Sequence, residues 1–483
     1  MNDCGPVGLQ MGNEKMKIRA RLLATCIAAT LATASAQGAN LLDVYQRALQ
    51  NDPVIREAEA NRLATLENQP QARAALLPQL TAAGELSRVD QEVGRTQLQP
   101  VDPLDENSLL IPVTTTSNAD GLRSLSYQFR LTQTVFRWDR WIGLKRAEKQ
   151  VAQAEVEFKA AQQELLARTV QRYFDVLAAE DTLEAAEATM EAFSRQLEQA
   201  DKRFEVGLIA ITDVQESRAA RDQASAAVIA AKRSLATSRE FLRELTGEAF
   251  DELASPGDDM PLRAPEPENE QDWVNAALAQ NLRLTSARLQ TDIAKDDVRA
   301  ARGGHLPTLD IVAQSSRDED RGDARASRGG RVTPSIADGE TNSDVISLQV
   351  SVPIFSGGAT QSQVRQRVYL HRAARERSER TAREIEREAR DAYLGVLSEI
   401  SRVQALRQAV ASSQTALQAT EAGFEVGTRT TVDVLESRRN LFNAQTTYAR
   451  SRYDYIINQL RLKIAAGNLS EADLEQVNSY LQQ

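Results

Sequence analysis

The sequence contains few residues of the kinds that build catalytic or metal-binding sites. Its 483 residues include only two cysteines, Cys4 and Cys26, and two histidines, His305 and His371. It shows no Gly-rich phosphate loop and no grouped set of metal ligands. These absences predict a protein that is not an enzyme and that needs no cofactor. A net charge of −10 also argues against binding to nucleic acid.

Long apolar runs are also scarce. The run Leu22–Ala36 follows several basic residues and ends in small ones, the pattern of a secretory signal peptide. We therefore predict a leader over residues 1–36, which would remove both cysteines from the mature chain. After it, no segment offers the ~20 consecutive apolar residues that a membrane-spanning helix requires.

The chain is instead dominated by an internal duplication. The segment FEVGLIAITDVQESR at 204–218 returns as FEVGTRTTVDVLESR at 424–438, at an offset of 220 residues. We predict a first repeat over 37–250, an acidic linker over 251–270, a second repeat over 271–467 and an extension over 468–483. Each repeat is predicted to contain a helix, two strands, a long helix, a tip turn (205–213 or 425–433) and a returning helix.

Strict alternation of apolar and polar residues predicts strands. It is clearest over 122–136 and 346–354, with weaker patterns over 79–88 and 308–316. The polar segments 89–121 and 317–343 between them are interpreted as long loops, as on outer-membrane barrels. Two soluble hairpins packed on a core are the alternative interpretation.

Four strands are too few to close a transmembrane barrel, and open edges leave backbone groups unsatisfied in lipid. We therefore expect several chains to share one barrel, and three copies would give twelve strands.

Apolar residues at intervals of seven predict the coiled-coil helices. Leu144, Val151, Phe158 and Leu165 form one series, and Val396, Val403, Val410 and Leu417 form another. At 1.5 Å per residue, each predicted helix would be about 100 Å long. The charged segment 372–390 is interpreted as a solvated helix face, because its Glu and Arg residues lie four apart.

Several motifs, together with the two tips, resemble the TolC family of outer-membrane efflux proteins. They are GHLPTLD at 304–310, PIFSGG at 353–358 and YIINQL at 455–460. The resemblance implies an exit duct in the outer membrane of a Gram-negative bacterium, with a tunnel extending into the periplasm, for multidrug efflux or type I protein secretion. It implies a homotrimer in contact with membrane lipid. The fold it implies is an α+β membrane protein: a trimeric 12-stranded outer-membrane β-barrel, with four strands per chain, continued by a long α-helical coiled-coil tunnel in the periplasm. It also implies two partners, a periplasmic membrane-fusion adaptor protein and an inner-membrane pump of the RND, ABC or MFS type.

The same resemblance implies roles for tip residues. Asp433 and Glu436 would form a ring at the periplasmic constriction. Thr212, Asp213 and Arg429 would form a latch that keeps the duct closed, with Phe424 in place of the family's tyrosine. Docking of the adaptor would involve Arg203, Gly207, Leu208, Gly427 and Thr428.

More ordinary interpretations exist for the same residues. Asp433 could simply cap a helix, and the two glycines could only serve the turns. A soluble periplasmic coiled-coil adaptor or a structural spacer remains the alternative function, although an adaptor would need only one helical hairpin.

Overall fold

A computed structural model describes residues 38–101, 108–257, 260–328, 331–336 and 338–481. The predicted leader lies outside the described residues. Ten α-helices and five strands are present in the described ranges. The helices are α1 (Leu41–Asn51), α2 (Pro53–Leu66), α3 (Asn68–Ala74), α4 (Trp138–Glu205), α5 (Ile211–Thr246), α6 (Glu270–Gln280), α7 (Leu282–Arg302), α8 (Ala359–Glu425), α9 (Thr431–Ala466) and α10 (Glu471–Asn478). The strands are β1 (Gln79–Pro100), β2 (Leu110–Phe136), β3 (Thr308–Arg328), β4 (Arg331–Ile336) and β5 (Gly339–Ser351).

The chain forms two compact units, and each unit draws on both sequence repeats. Of the described residues, one unit contains 38–58, Lys159–Asn281 and 384–481. The other contains Glu59–Phe158 and Leu282–Arg383, and therefore the whole sheet. No helix in the described ranges combines the length and the hydropathy needed to cross a membrane.

The sheet is antiparallel throughout and has four strand positions. β1 pairs with β2, and β2 pairs with β3, which joins the two repeats. β4 and β5 both pair with the other edge of β3, through Asp323↔Ile336 and Asp320↔Gly339. These pairs keep one register, so β4 and β5 are two parts of one interrupted strand. The prediction of four strand positions per chain is confirmed.

The prediction of long polar loops was wrong. β1 continues to Pro100 and β2 begins at Leu110, so backbone pairing covers most of 89–121. β3 likewise continues to Arg328. These extensions are mostly polar on both faces, so side-chain alternation cannot reveal them. Cross-strand backbone hydrogen bonds stabilise them instead.

One face of the sheet is an exposed apolar surface. Directly paired residues share a face, and the register aligns Leu80 with Leu131 and Leu86 with Leu125. It also aligns Leu131 with Ala313 and Ala313 with Ile346. Leu86 is 76% exposed and Ile346 is 84% exposed in the single chain. A surface of this kind marks contact with lipid or protein.

The predicted heptad residues are buried to different degrees in a single chain. Leu165, Val396, Val403 and Leu417 are buried, whereas Leu144, Val151, Phe158 and Val410 are half-buried. In the charged segment, Arg383 pairs with Glu379 at 3.1 Å and Arg390 pairs with Glu386 at 2.8 Å. These ion pairs confirm the interpretation of a solvated helix face.

The duplication is visible in the helix ends of the first unit. The α5 helix ends at Gly247, which faces Asn51, and α9 ends at Gly467, which faces Gln280. A Cβ on Gly467 would lie 2.7 Å from the Gln280 carbonyl oxygen, so only glycine permits this approach. Each returning helix therefore ends against the first helix of its own repeat.

The linker and the extension are packed parts of the first unit. The Tyr455 hydroxyl donates to the Arg263 carbonyl at 2.9 Å, and Arg452 donates to the Gly257 carbonyl at 2.6 Å. In the extension, α10 buries Leu474 and Val477. The predicted linker is thus anchored by residues of the second repeat.

A buried serine allows a test of this packing. Ser217 is fully buried and its hydroxyl has no hydrogen-bond partner among the described residues. Its counterpart Ser437 donates to Thr420 at 3.2 Å, whereas the residue equivalent to Thr420 in the first repeat is Ala200. We predict that Ser217→Ala stabilises the protein by about 1 kcal/mol, because it removes an unsatisfied buried group.

The matched control is Ser437→Ala, which removes a formed hydrogen bond and should not stabilise. Thermal unfolding in detergent would compare the two variants with wild type. A loss of stability in Ser217→Ala would show that its hydroxyl has a partner in the assembled protein.

Candidate functional site

The two helix tips share one backbone design. After α4, the Leu208 N–H donates to the Arg203 carbonyl at 2.8 Å and the Gly207 N–H donates to the Phe204 carbonyl at 2.9 Å. After α8, Thr428 donates to Gly423 at 2.8 Å and Gly427 donates to Phe424 at 3.1 Å. This is the Schellman motif, which satisfies the last carbonyls of a helix.

The glycines of both motifs have left-handed backbones. Gly207 has a φ of 76° and Gly427 has a φ of 80°. A Cβ at either residue would meet no atom within 4 Å, so conformation alone demands glycine here. The interpretation of these glycines as turn residues is confirmed, and their part in adaptor docking stays a prediction.

Asp433 caps the start of α9. Its carboxylate accepts from the Thr430 backbone N–H at 2.8 Å and from the Thr430 hydroxyl at 2.9 Å. In return, the Asp433 N–H donates to the Thr430 hydroxyl at 3.2 Å. These reciprocal bonds form a capping box, so the capping interpretation is confirmed.

The cap also sets the acidity of this residue. The Thr430 backbone N–H, then the Thr430 hydroxyl, and finally the positive charge of Arg429 lower the pKa of Asp433 below the ordinary aspartate value. Asp433 is partly exposed and Glu436, one turn further along α9, is exposed. Capping therefore leaves a charged carboxylate beside a second acidic residue on the same helix.

The first tip has a weaker cap. Asp213 accepts only from the Ala210 backbone N–H, at 3.3 Å, because Ala210 has no hydroxyl to complete the box. Thr212 is exposed and Asp213 is partly exposed. The duplication has thus kept both acidic residues but strengthened the cap of only the second.

Phe424 and Arg203, which the sequence analysis placed in different roles, lie against each other. The Arg203 guanidinium stands 4.9 Å from the centre of the half-buried Phe424 ring. Such a cation–π contact is worth ~0.5–1 kcal/mol at an exposed position. It joins the ends of α4 and α8, and sequence reasoning missed it because the two residues are far apart in the chain.

Gly423 is a further tip residue that sequence reasoning missed. Its carbonyl accepts from the Thr428 and Arg429 N–H groups and, at 3.0 Å, from the Thr428 hydroxyl. A Cβ on Gly423 would lie 2.8 Å from the Arg429 side chain. The sequence did contain a signal for this residue, because a glycine inside a helix lowers its stability by about 1 kcal/mol relative to alanine and therefore indicates a special role.

The latch residues are not brought together in one chain. Among the described residues, Arg429 makes no hydrogen bond or ion pair with Thr212 or Asp213. Near the second tip, Arg438 forms an ion pair with Glu421 instead. The latch therefore stays a prediction about the assembled protein.

Both tips expose apolar side chains. Val206, Leu208 and Val426 are 70%, 73% and 76% exposed in the single chain. Deeper in the hairpins, Phe193 packs with Ala220, Ala224 and Leu435, which links α4, α5 and α9. Each exposed tip thus stands on a packed helical base.

Comparisons with known proteins agree with these features. The family model described as "Outer membrane efflux protein" matches residues 44–248 and 273–468, one range in each repeat. The chain is 36% identical to the outer membrane protein TolC of Escherichia coli strain K12, over 92% of this chain and 85% of that protein. It is 28% identical to the alkaline protease secretion protein AprF of Pseudomonas aeruginosa, over 90% and 86% of the two chains.

A solved structure shows the same fold at low sequence identity. The crystal structure of the Campylobacter jejuni CmeC outer membrane channel superposes with a TM-score of 0.69 at 16% identity. The match covers 92% of this chain and 90% of CmeC. The chain therefore shares its fold with that structure.

The lowered pKa of Asp433 makes its cap dependent on pH. The ionised carboxylate stabilises the tip above the ordinary aspartate pKa of 3.8, and this stabilisation is lost as the pH falls through the lower pKa of the folded tip. We predict that Asp433→Asn speeds hydrogen exchange at 426–440 near neutral pH. The difference from wild type should shrink only in strong acid.

Asp213→Asn is the matched control. Because its carboxylate accepts a single long bond, its effect should be smaller at every pH. Hydrogen exchange corrected for intrinsic rates would measure both variants. An Asp433→Asn effect of constant size from neutral pH to strong acid would contradict the role of the charge.

Proposed function

Since the chain belongs to the outer membrane efflux protein family, we propose that it is a passive outer-membrane exit duct for multidrug efflux or type I protein secretion. The exposed apolar face of the sheet supports this most directly, because it suits a lipid-facing surface. Sequence identity to TolC and AprF favours a duct over the alternative of a soluble adaptor. The location is the outer membrane.

The open sheet supports a homotrimer. In the described residues of one chain, β1 pairs only with β2 and β5 pairs only with β3. Unpaired backbone groups in lipid cost several kcal/mol each, so these edges need other strands. Three chains with four strand positions each would close a barrel of twelve.

Asp433 and Glu436 would form the narrowest part of the duct. Threefold symmetry would set six carboxylates around one opening and favour cations there. An aspartate is ionised at neutral pH, and the capping bonds favour that form further because they lower the pKa of Asp433. The second tip would thus supply the charge, while its capping box holds that charge in place.

Opening would depend on partners, namely a periplasmic adaptor protein and an inner-membrane pump of the RND, ABC or MFS type. The exposed apolar residues at both tips suit contact with an amphipathic partner helix. Arg203, Gly207, Leu208, Gly427 and Thr428 would form the docking surface. Contact there would break a latch formed by Arg429 with Thr212 and Asp213 and realign the hairpins.

The charge ring predicts how the channel conducts. Wild-type protein in a planar bilayer should open in small cation-selective steps that a multivalent cation blocks from the side of the tips. Asp433→Asn/Glu436→Gln should conduct with weaker selectivity and without this block. The control is Glu205→Gln, since Glu205 is an acidic tip residue outside the ring. Block that persists in the double variant would contradict the ring.

The docking surface predicts a loss of export without a loss of assembly. Leu208→Asp should abolish export in cells, because a charge would occupy an exposed apolar contact. Its trimer and its channels in a bilayer should be unchanged. Val93→Asp in β1, remote from the tip in sequence and also exposed, serves as a control for added charge. Normal export by Leu208→Asp would count against docking here.

The latch predicts energetic coupling. A double-mutant cycle with Arg429→Ala and Asp213→Ala, measured as the rate of channel opening, should give a coupling of about 1 kcal/mol. The reference cycle uses Arg203→Ala and Phe424→Leu. Because this contact should be present in both the closed and the open duct, it should give no coupling in the rate of opening. Additive effects of the Arg429 and Asp213 changes would remove the latch.

A further inference from the structure

Three arginines lie side by side on the apolar face of the sheet. Arg88 of β1 is paired with Arg123 of β2, and Arg123 is paired with Arg321 of β3. Because directly paired residues share a face, the three side chains emerge together across about 10 Å, or two strand spacings. All three are exposed in the single chain. We call these residues the arginine row.

The arginine row borders the apolar surface. Leu86 lies two residues before Arg88 in β1, and Leu125 lies two residues after Arg123 in β2. These two leucines are paired with each other and lie on the same face as the row. Two residues of a strand span about 7 Å. Beyond the row, the sheet continues as the polar extensions. In β1 and β2, the row therefore lies where the apolar surface gives way to polar strands.

The opposite end of the apolar surface has a different chemistry. There β2 ends at Phe136, and α4 begins with Trp138 and Trp141, whose side chains are 38% and 49% exposed. Exposed tryptophans are typical of a membrane interface. The tryptophans thus mark the end of the apolar surface where the strands join the helices. The arginine row marks the other end, where the polar strand extensions begin.

Among the side chains that the structure describes, few carboxylates offset the charge of the row. Glu319 accepts ion pairs from Arg321 at 3.5 Å and from Arg317 at 3.4 Å, and Arg317 also pairs with Glu340 at 2.5 Å. Among the described residues, no carboxylate lies within ion-pair distance of Arg88 or Arg123. Like charges directly opposite each other destabilise a sheet. An external anion would remove this cost.

We propose that the arginine row binds the phosphate group of an outer-leaflet lipid, an inference that rests on the proposed function. Guanidinium groups bind phosphate oxygens in pairs, and the row offers three of them within one headgroup's reach. Its place beside exposed leucines suits a phosphate carried by acyl chains better than a free anion. The lipid chains would cover the apolar surface while the headgroup occupies the row.

The test measures lipid binding to the full-length protein by native mass spectrometry in a zwitterionic detergent. The probes are dioleoyl phosphatidic acid, which has a phosphate monoester, and dioleoyl phosphatidylcholine. Wild type should prefer phosphatidic acid, and Arg88→Gln/Arg123→Gln should bind it about tenfold or more weakly. Arg88→Lys/Arg123→Lys keeps the charge but loses the paired donors, so its binding should lie between that of wild type and that of the glutamine variant.

Arg130→Gln is the matched control, because Arg130 lies in β2 on the opposite face and donates to Gln314 at 3.0 Å. It should bind phosphatidic acid as wild type does. Equal loss in Arg130→Gln, or no loss in the double glutamine variant, would overturn the proposal. Complete displacement of the lipid by excess inorganic phosphate would also overturn it, since the row would then be a site for free anions.

The unfolding temperature provides a second test, because the substitutions and the lipid should change it in different ways. Without phosphatidic acid, the double glutamine variant should unfold at the same or a higher temperature than wild type, because it relieves repulsion. Adding phosphatidic acid should stabilise wild type only. Channel recordings in pure phosphatidylcholine separate the failure of this proposal from the failure of the proposed duct. If only the lipid site is wrong, channels should still form, whereas their absence would count against the duct itself.

Discussion

The open edges of the sheet constrain everything else in this chain. Within the described residues, β1 and β5 each have one paired side, and the same sheet carries a broad exposed apolar face. Lipid can cover the face but cannot satisfy the edges, because hydrocarbon offers no hydrogen bonds. Additional copies of the chain are the simplest source of strands. The β2–β3 pairing shows how such a junction is made, since it already joins two homologous repeats within one chain.

The duplication has kept its backbone and changed its side chains. Both tips use the same Schellman turn and both returning helices end at a left-handed glycine. Thr430 completes a capping box that Ala210 cannot, and Thr420 satisfies a serine whose counterpart is left unsatisfied by Ala200. The second hairpin therefore holds its acidic cap and its buried serine by more hydrogen bonds than the first does.

Local patterns predicted much of this structure. Alternation identified the strands in the apolar part of the sheet, because one face is apolar there, and the repeated tip sequence identified both turns. The polar extensions were missed because neither of their faces is consistently apolar, and cross-strand hydrogen bonds stabilise them. The Arg203–Phe424 contact and the arginine row depend on the packing of distant segments and on the strand register. No local pattern contains that information.

The most direct test of the account is to join the free edges of neighbouring chains. The sequence has no cysteine after Cys26, so cysteines introduced at Ala83 in β1 and at Ser347 or Gln349 in β5 can be paired without interference. We expect oxidation in membranes to give a covalent trimer on denaturing gels for at least one pair, with dimers as intermediates and no larger species. The shared sheet would be contradicted if the chain stayed monomeric with both cysteine pairs although it was folded in the outer membrane.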